Sequence, residues 1–179
     1  MPEYVGYHGT SAETADVIIS QQKFLPSKDG WLGFGVYFFP YADDAEWWCR
    51  CNKRLEPGQY KILKSELSPN KIVDLLGSRN DMEFFRAFCD RVRNRRVRTL
   101  KRPARNNDIS MAVKWMMDAI KKSGNLVDMI IAGFDENRKR WYPPNSDEAR
   151  QWFNMTVTQV QYCVKNVDCI KMISEYEGE

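Results

Sequence analysis

Three runs within residues 7–49 decide how this chain is read: Tyr7-His8-Gly9-Thr10, Gly33-Phe34-Gly35-Val36-Tyr37-Phe38 and Trp47-Trp48-Cys49. Together they read as a cofactor pocket. The first run carries the one histidine of the chain, so any imidazole chemistry belongs there. Glu3 to His8 reads as a short strand ending at the histidine. Thr10-Ser11-Ala12-Glu13 matches a capping box, with the Thr10 hydroxyl capping a backbone amide and Glu13 reaching back. Ala12, Ala15, Ile18 and Ile19 then keep a helical period to about Gln22. His8 thus sits at a strand-to-helix junction, where backbone amides lack partners and ligands often bind; a lone histidine there could equally do no more than satisfy a backbone carbonyl. Phe24 to Gly30 forms a loop, and Trp31 to Phe39 an aromatic strand whose glycines at 33 and 35 signal a bulge or the close approach of a backbone or ligand. Pro40 halts it and Asp43-Asp44 begin a helix. Trp47 and Trp48 face different sides of that helix. Trp31, Phe38 and Trp47 read as core.

Outward from this stretch, Gln59 to Leu67 alternates as a strand, and Ser68-Pro69-Asn70 turns into a second short one, Lys71 to Leu76. Asp81 begins a helix with an apolar stripe of Phe84, Phe85 and Phe88 that runs into the arginine-rich segment ending near Pro103. Asp108 to Ser123 is a second amphipathic helix. Leu126 to Phe134 is strongly apolar and reads as a central strand. Residues 135–155 form a long loop, of the length that is usually functional or mobile. Thr156 to Lys165 is a strand by its β-branched content, with Gln159, Gln161 and Cys163 on one face, and Cys169 to Ile173 is the last. The order is that of a single α+β domain over residues 1–179 rather than a βαβ alternation.

Composition bounds the function. The chain has 179 residues, 43% of them hydrophobic, and six tryptophans, enough for one sizeable core and not for a disordered tail. Its net charge of +3 says little. The distribution says more, because eight arginines and Lys101 face only Asp90 between Arg86 and Arg105. Five cysteines without CxxC spacing, and a single histidine, argue against a metal site and for a reducing cytosol. No run is long enough for a membrane span and the N-terminus has no export signal, so a cytoplasmic protein is expected.

The quoted runs, joined by one helix and a loop and followed by Tyr60 to Leu67 and Lys71 to Leu75, resemble the catalytic domain of poly(ADP-ribose) polymerases and related diphtheria-toxin-like ADP-ribosyltransferases. The resemblance covers residues 1–75 and roughly 160–179. It implies an ADP-ribosyltransferase fold: an antiparallel, split β-sheet core carrying a helical, arginine-rich insertion at about 78–125. It also implies NAD as co-substrate and an oxocarbenium-like transition state. By this resemblance His8 bonds a ribose hydroxyl on the adenosine side, and the Gly9 backbone grips the nicotinamide amide, where a side chain would block the approach. Tyr37 and Trp48 stack on the nicotinamide ring, with Thr10, Gly35 and Phe38 completing the cofactor-binding set. His8 and Tyr37 are two members of the family's catalytic trio.

The third member, a glutamate at the start of the late strand, has no counterpart. Gln161 stands at the matching position, with Gln159 as the same-face alternative. A glutamine can bond a ribose hydroxyl but lacks the charge to support an oxocarbenium ion. Ala45 likewise stands where the family often has a serine, and Glu148 is the carboxylate of the long loop nearest that strand. These departures favour transfer of a single unit, or none, over polymer synthesis. The acceptor is a nucleic acid or a protein side chain. Arginine is the better fork for phosphates, and Arg95, Arg96 and Arg98, with Arg138, Arg140 and Trp141 of the long loop, form the basic and aromatic set that suits single-stranded nucleic acid. Three readings stand. One is a mono-ADP-ribosyltransferase, by analogy a bacterial or phage-related toxin or defence enzyme with a neutralising antitoxin. Another is a non-catalytic NAD or ADP-ribose binding module. The third is a nucleic-acid-binding protein with a vestigial pocket.

Overall fold

The computed structural model describes residues 4–28, 30–99, 107–134 and 159–178. It is a mixed α+β structure with two sheets. The elements in chain order are β1 (Tyr4–Ser11), α1 (Ala12–Gln21), β2 (Val36–Phe38), α2 (Ala42–Trp47), a π-helical turn (Trp48–Asn52), β3 (Tyr60–Leu67), β4 (Ile72–Asp74), α3 (Arg79–Thr99), α4 (Asn107–Lys122), β5 (Met129–Phe134), β6 (Gln159–Val164) and β7 (Ile170–Glu175). One sheet has the order β1-β3-β7 and the other β2-β6-β5-β4.

β1 runs three residues further than its apolar pattern suggests, because antiparallel pairing with β3 continues to Ser11 opposite Tyr60. The helix cap shifts with it. Thr10 is a buried strand residue, and the Ser11 hydroxyl accepts from the Thr14 amide at 3.4 Å. The expected strand from Trp31 shrinks to Val36–Phe38, since residues 30–33 form a tight turn closed by Gly33 N–H to Gly30 C=O at 2.7 Å. Gly33 has φ +80° there, which a glycine adopts without steric cost.

The antiparallel expectation fails at one pair. β4 and β5 are parallel, Ile72 opposite Met129 through Asp74 opposite Ile131. Parallel neighbours require a crossover rather than a hairpin, and α3 with α4 supplies it. The arginine-rich α3 and the amphipathic α4 are therefore the connection that makes this pair possible, and β5 is an inner strand as its apolar run predicts.

Each sheet face has its own core. Ile18 and Phe24 from the α1 region meet Phe38, Leu63, Leu67, Met129 and Val164 between the sheets. Phe88 and Val92 of α3 with Ala112, Val113 and Met116 of α4 cover Ile130 and Cys163 of the second sheet. Burying side chains of this size stabilises by about 1.5–3 kcal/mol each. The sheets touch edge to edge through one pair of backbone bonds, Tyr7 N–H to Phe39 C=O and Phe39 N–H to Tyr7 C=O, both 2.8 Å. Just past this bridge, β1 and β2 flank the cavity described next.

Candidate functional site

A cavity of about 390 Å³ is lined by His8 and Gly9 of β1, Tyr37 of β2, Gln161 of β6, Trp48 of the π turn and Lys53 just after it, and Trp31 with Gly35 from the loop before β2. Its volume lies in the usual range of small-molecule sites, about 300–1,000 Å³. Of the residues expected to bind a cofactor, His8, Gly9, Gly35, Tyr37 and Trp48 meet here, together with Gln161 of the expected catalytic trio. Thr10 and Phe38 do not: Thr10 is buried in β1, and Phe38 is fully buried in the inter-sheet core, because alternate strand residues point to opposite faces. Gln159 does not line the cavity.

His8 is held by one hydrogen bond and two ring contacts. Its Nδ1 lies 2.7 Å from the Tyr37 carbonyl oxygen; a carbonyl only accepts, so Nδ1 carries the proton and Nε2 is left as an acceptor. The ring stands edge-on to Phe24 and Phe38, at centroid distances of 5.2 and 5.8 Å. Burial among these groups, with a smaller push from the Lys53 ammonium and against the pull of the Tyr37 carbonyl, lowers its pKa to about 4. The imidazole is a neutral hydrogen-bond acceptor.

Tyr37 is fixed by its hydroxyl, which accepts from the Leu32 amide at 3.0 Å and donates to the Gly33 carbonyl at 2.6 Å. Burial, reinforced by Cys163, raises its pKa far above that of a free phenol. The hydroxyl belongs to the turn, and what Tyr37 offers the cavity is its ring. Gly30 is glycine for this reason, since a β-carbon there would occupy the place of the Tyr37 ring.

Gly9 has a similar explanation, and it differs from the expected one. A β-carbon at Gly9 would collide with the Ala45 carbonyl oxygen and come within 2.6 Å of Cys49 Sγ. The position is small because α2 packs directly on β1, and this is sufficient without any ligand.

Gln161 is 2% exposed, and its Oε1 accepts from the Trp31 indole N–H at 2.7 Å. An indole nitrogen can only donate, so this bond orients the carboxamide and commits its oxygen. The amide N–H donors are what Gln161 has left for a ligand. No carboxylate lines the cavity among the described residues.

Trp31 and Lys53 escaped the sequence reading. Trp31 is half-buried rather than core, packing one side on the second core while its N–H reaches Gln161. Lys53 arrives through the π turn, in which its amide bonds the Trp48 carbonyl at 3.0 Å, five residues back. That puts Trp48 and Lys53 on one cavity, a relation the ordinary helical period does not predict. The Lys53 ammonium lies 3.4 Å from the Gly9 carbonyl oxygen. Trp47 is buried, as expected.

The expected acceptor residues are spread differently. Arg95 is an exposed residue of α3 whose guanidinium lies 5.9 Å from the Trp115 ring centroid. The side chains of Arg96 and Arg98, and Arg138, Arg140, Trp141 and Glu148 entirely, lie outside the described residues. No helix among the described residues is long and apolar enough to cross a membrane.

No protein-family model matches the chain, and no solved structure does. Among curated proteins, the chain is 24% identical over 187 aligned residues to Uncharacterized protein MJ0359 of Methanocaldococcus jannaschii, a likeness that spans 97% of this chain and 87% of that protein.

Proposed function

We propose that the cavity binds NAD and that the chain is a mono-ADP-ribosyltransferase acting on a macromolecular acceptor, with nucleic acid favoured over protein. The observation that carries this reading is convergence. His8, Tyr37, Trp48 and Gln161, far apart in sequence, line one cavity between the two sheets. A neutral His8 Nε2 can accept a ribose hydroxyl proton, and the Tyr37 ring and the Trp48 indole are flat surfaces suited to a pyridine ring, worth on the order of 1 kcal/mol beyond burial. In the reaction the bond between the ribose anomeric carbon and the pyridinium nitrogen breaks, and its electron pair leaves with neutral nicotinamide. The acceptor nucleophile bonds the anomeric carbon and gives its proton to water. Because nicotinamide leaves as a neutral molecule, the step requires no general acid; a carboxylate, which the described lining lacks, would support the oxocarbenium-like charge that develops as the bond breaks.

A specific observation favours a second reading, an NAD or ADP-ribose binding module without turnover: the Gln161 oxygen is already engaged by Trp31, and no carboxylate lines the cavity among the described residues. Incubating the chain with NAD labelled in its adenylate, together with RNA, DNA and lysate protein, separates the two. Transfer of label with release of nicotinamide, lost in His8→Ala, Tyr37→Ala and Gln161→Ala, supports the transferase. Calorimetric NAD binding without nicotinamide release supports the module. Absence of NAD binding overturns both, and activity unchanged in all three variants means that this cavity is not the site.

A further inference from the structure

On the other side of the turn that holds Tyr37 lies a second cavity, a groove of about 670 Å³ that shares Gly30 as a wall with the first. Lys28 from the loop, Lys114 of α4 and Lys165 after β6 line it, with Asp118 as the opposing charge. Lys28 and Lys114 are exposed, and neither makes an ion pair among the described residues. Phe34 also lines the groove and is 53% exposed. An exposed phenylalanine alone means little. This one sits on a braced support: the Lys165 ammonium donates to the carbonyls of Leu32 at 2.6 Å and Phe34 at 2.7 Å, and the preceding turn is closed from Gly33 to Gly30. The ring is thus carried by backbone fixed on both sides.

We propose that this groove binds single-stranded nucleic acid, with phosphates on Lys28 and Lys114 and a base stacked on Phe34. A groove with three ammonium groups against one carboxylate complements a polyanion, and an aromatic face presented to solvent takes an unpaired base whatever its identity. A duplex keeps its base faces covered and cannot use Phe34. The groove would bring an acceptor strand alongside the first cavity; that role as acceptor site rests on the transferase reading, whereas the binding itself does not.

Fluorescence anisotropy with labelled single-stranded RNA, single-stranded DNA and duplex DNA of mixed sequence tests it, at several salt concentrations and without NAD. Both single strands should bind more tightly than duplex, and a difference between them reports contacts to the ribose hydroxyl. Phe34→Ala should weaken single-strand binding about tenfold. The double variant Lys28→Gln with Lys114→Gln should weaken it at least tenfold at low salt and reduce the slope of log affinity against log salt by about 1.4. These substitutions are at exposed positions, circular dichroism checks their folding, and calorimetric NAD binding in the same variants reads the first cavity separately. Unchanged affinity in the groove variants, or loss confined to an Arg95→Gln, Arg96→Gln, Arg98→Gln variant, would overturn the proposal.

Discussion

His8 stays neutral across the ordinary pH range because burial beside apolar rings disfavours its charged form. With the folded pKa near 4 and an unfolded value of about 6.5, the unfolded chain takes up the proton first as pH falls. His8 therefore withdraws stability between about pH 6.5 and 4. Ligand affinity that depends on Nε2 as acceptor should hold from pH 8 to 5 and weaken only as pH approaches 4, which calorimetric titration of NAD across that range would check. Gly9 leads to a different expectation. Gly9→Ala forces a β-carbon against the Ala45 carbonyl, and thermal or urea unfolding should show a loss of about 1–3 kcal/mol even without ligand. Gln161→Glu supplies a negative charge that the proposed transferase reading would use. Nicotinamide release by this variant, followed by chromatography, should exceed that of the native chain, with the Trp31 N–H now bonding a carboxylate.

The turn at residues 30–33 is the element that organises both cavities. Its amide at Leu32 and carbonyl at Gly33 are satisfied by the Tyr37 hydroxyl. Tyr37→Phe keeps the ring and removes both bonds, so stability should fall by about 1 kcal/mol while NAD affinity changes little. Tyr37→Ala should lose affinity as well, and comparing the two variants by urea denaturation and calorimetry separates ring from hydroxyl. Much at this scale was legible in the residues. The periodicity of Ala12 to Ile19, the alternation of Tyr60 to Leu67 and the apolar run into Met129–Phe134 each encode a local period, and α1, β3 and β5 follow it. Gln161 was legible as a cavity residue only through the family resemblance, since its same-face neighbours Gln159 and Cys163 do not line the cavity. Lys53 was not, because a π turn replaces the helical period at Trp48. The parallel pairing of β4 was not either, since strand direction is set by a crossover over many residues and not by either strand's own pattern.

At the scale of the molecule, Asp128 ties three segments together. Its carboxylate accepts from the amides of Asn70 at 2.9 Å and Lys71 at 3.0 Å and from the Asn166 side chain at 2.9 Å. Burial alone would raise its pKa, but these donors together outweigh burial and leave it lowered. Asp128→Asn replaces an acceptor with a donor facing other donors, and urea unfolding at pH 7 should show a loss of about 1–3 kcal/mol. A lowered carboxylate contributes stability above its unfolded pKa of about 3.9 and loses it as pH falls through the folded value. The gap between native and variant should therefore narrow in acid. The bond from Trp31 to Gln161 spans 130 residues of sequence, and the one from His8 to Tyr37 spans 29. The first of these forms where β6 lies paired between β2 and β5, strands distant from one another in sequence. Folding that must close such distant contacts is slow. The refolding chain should consequently acquire amide protection in β1 and β3 before β2 and β6, so that pulsed hydrogen exchange finds the cavity among the last parts of the molecule to exist.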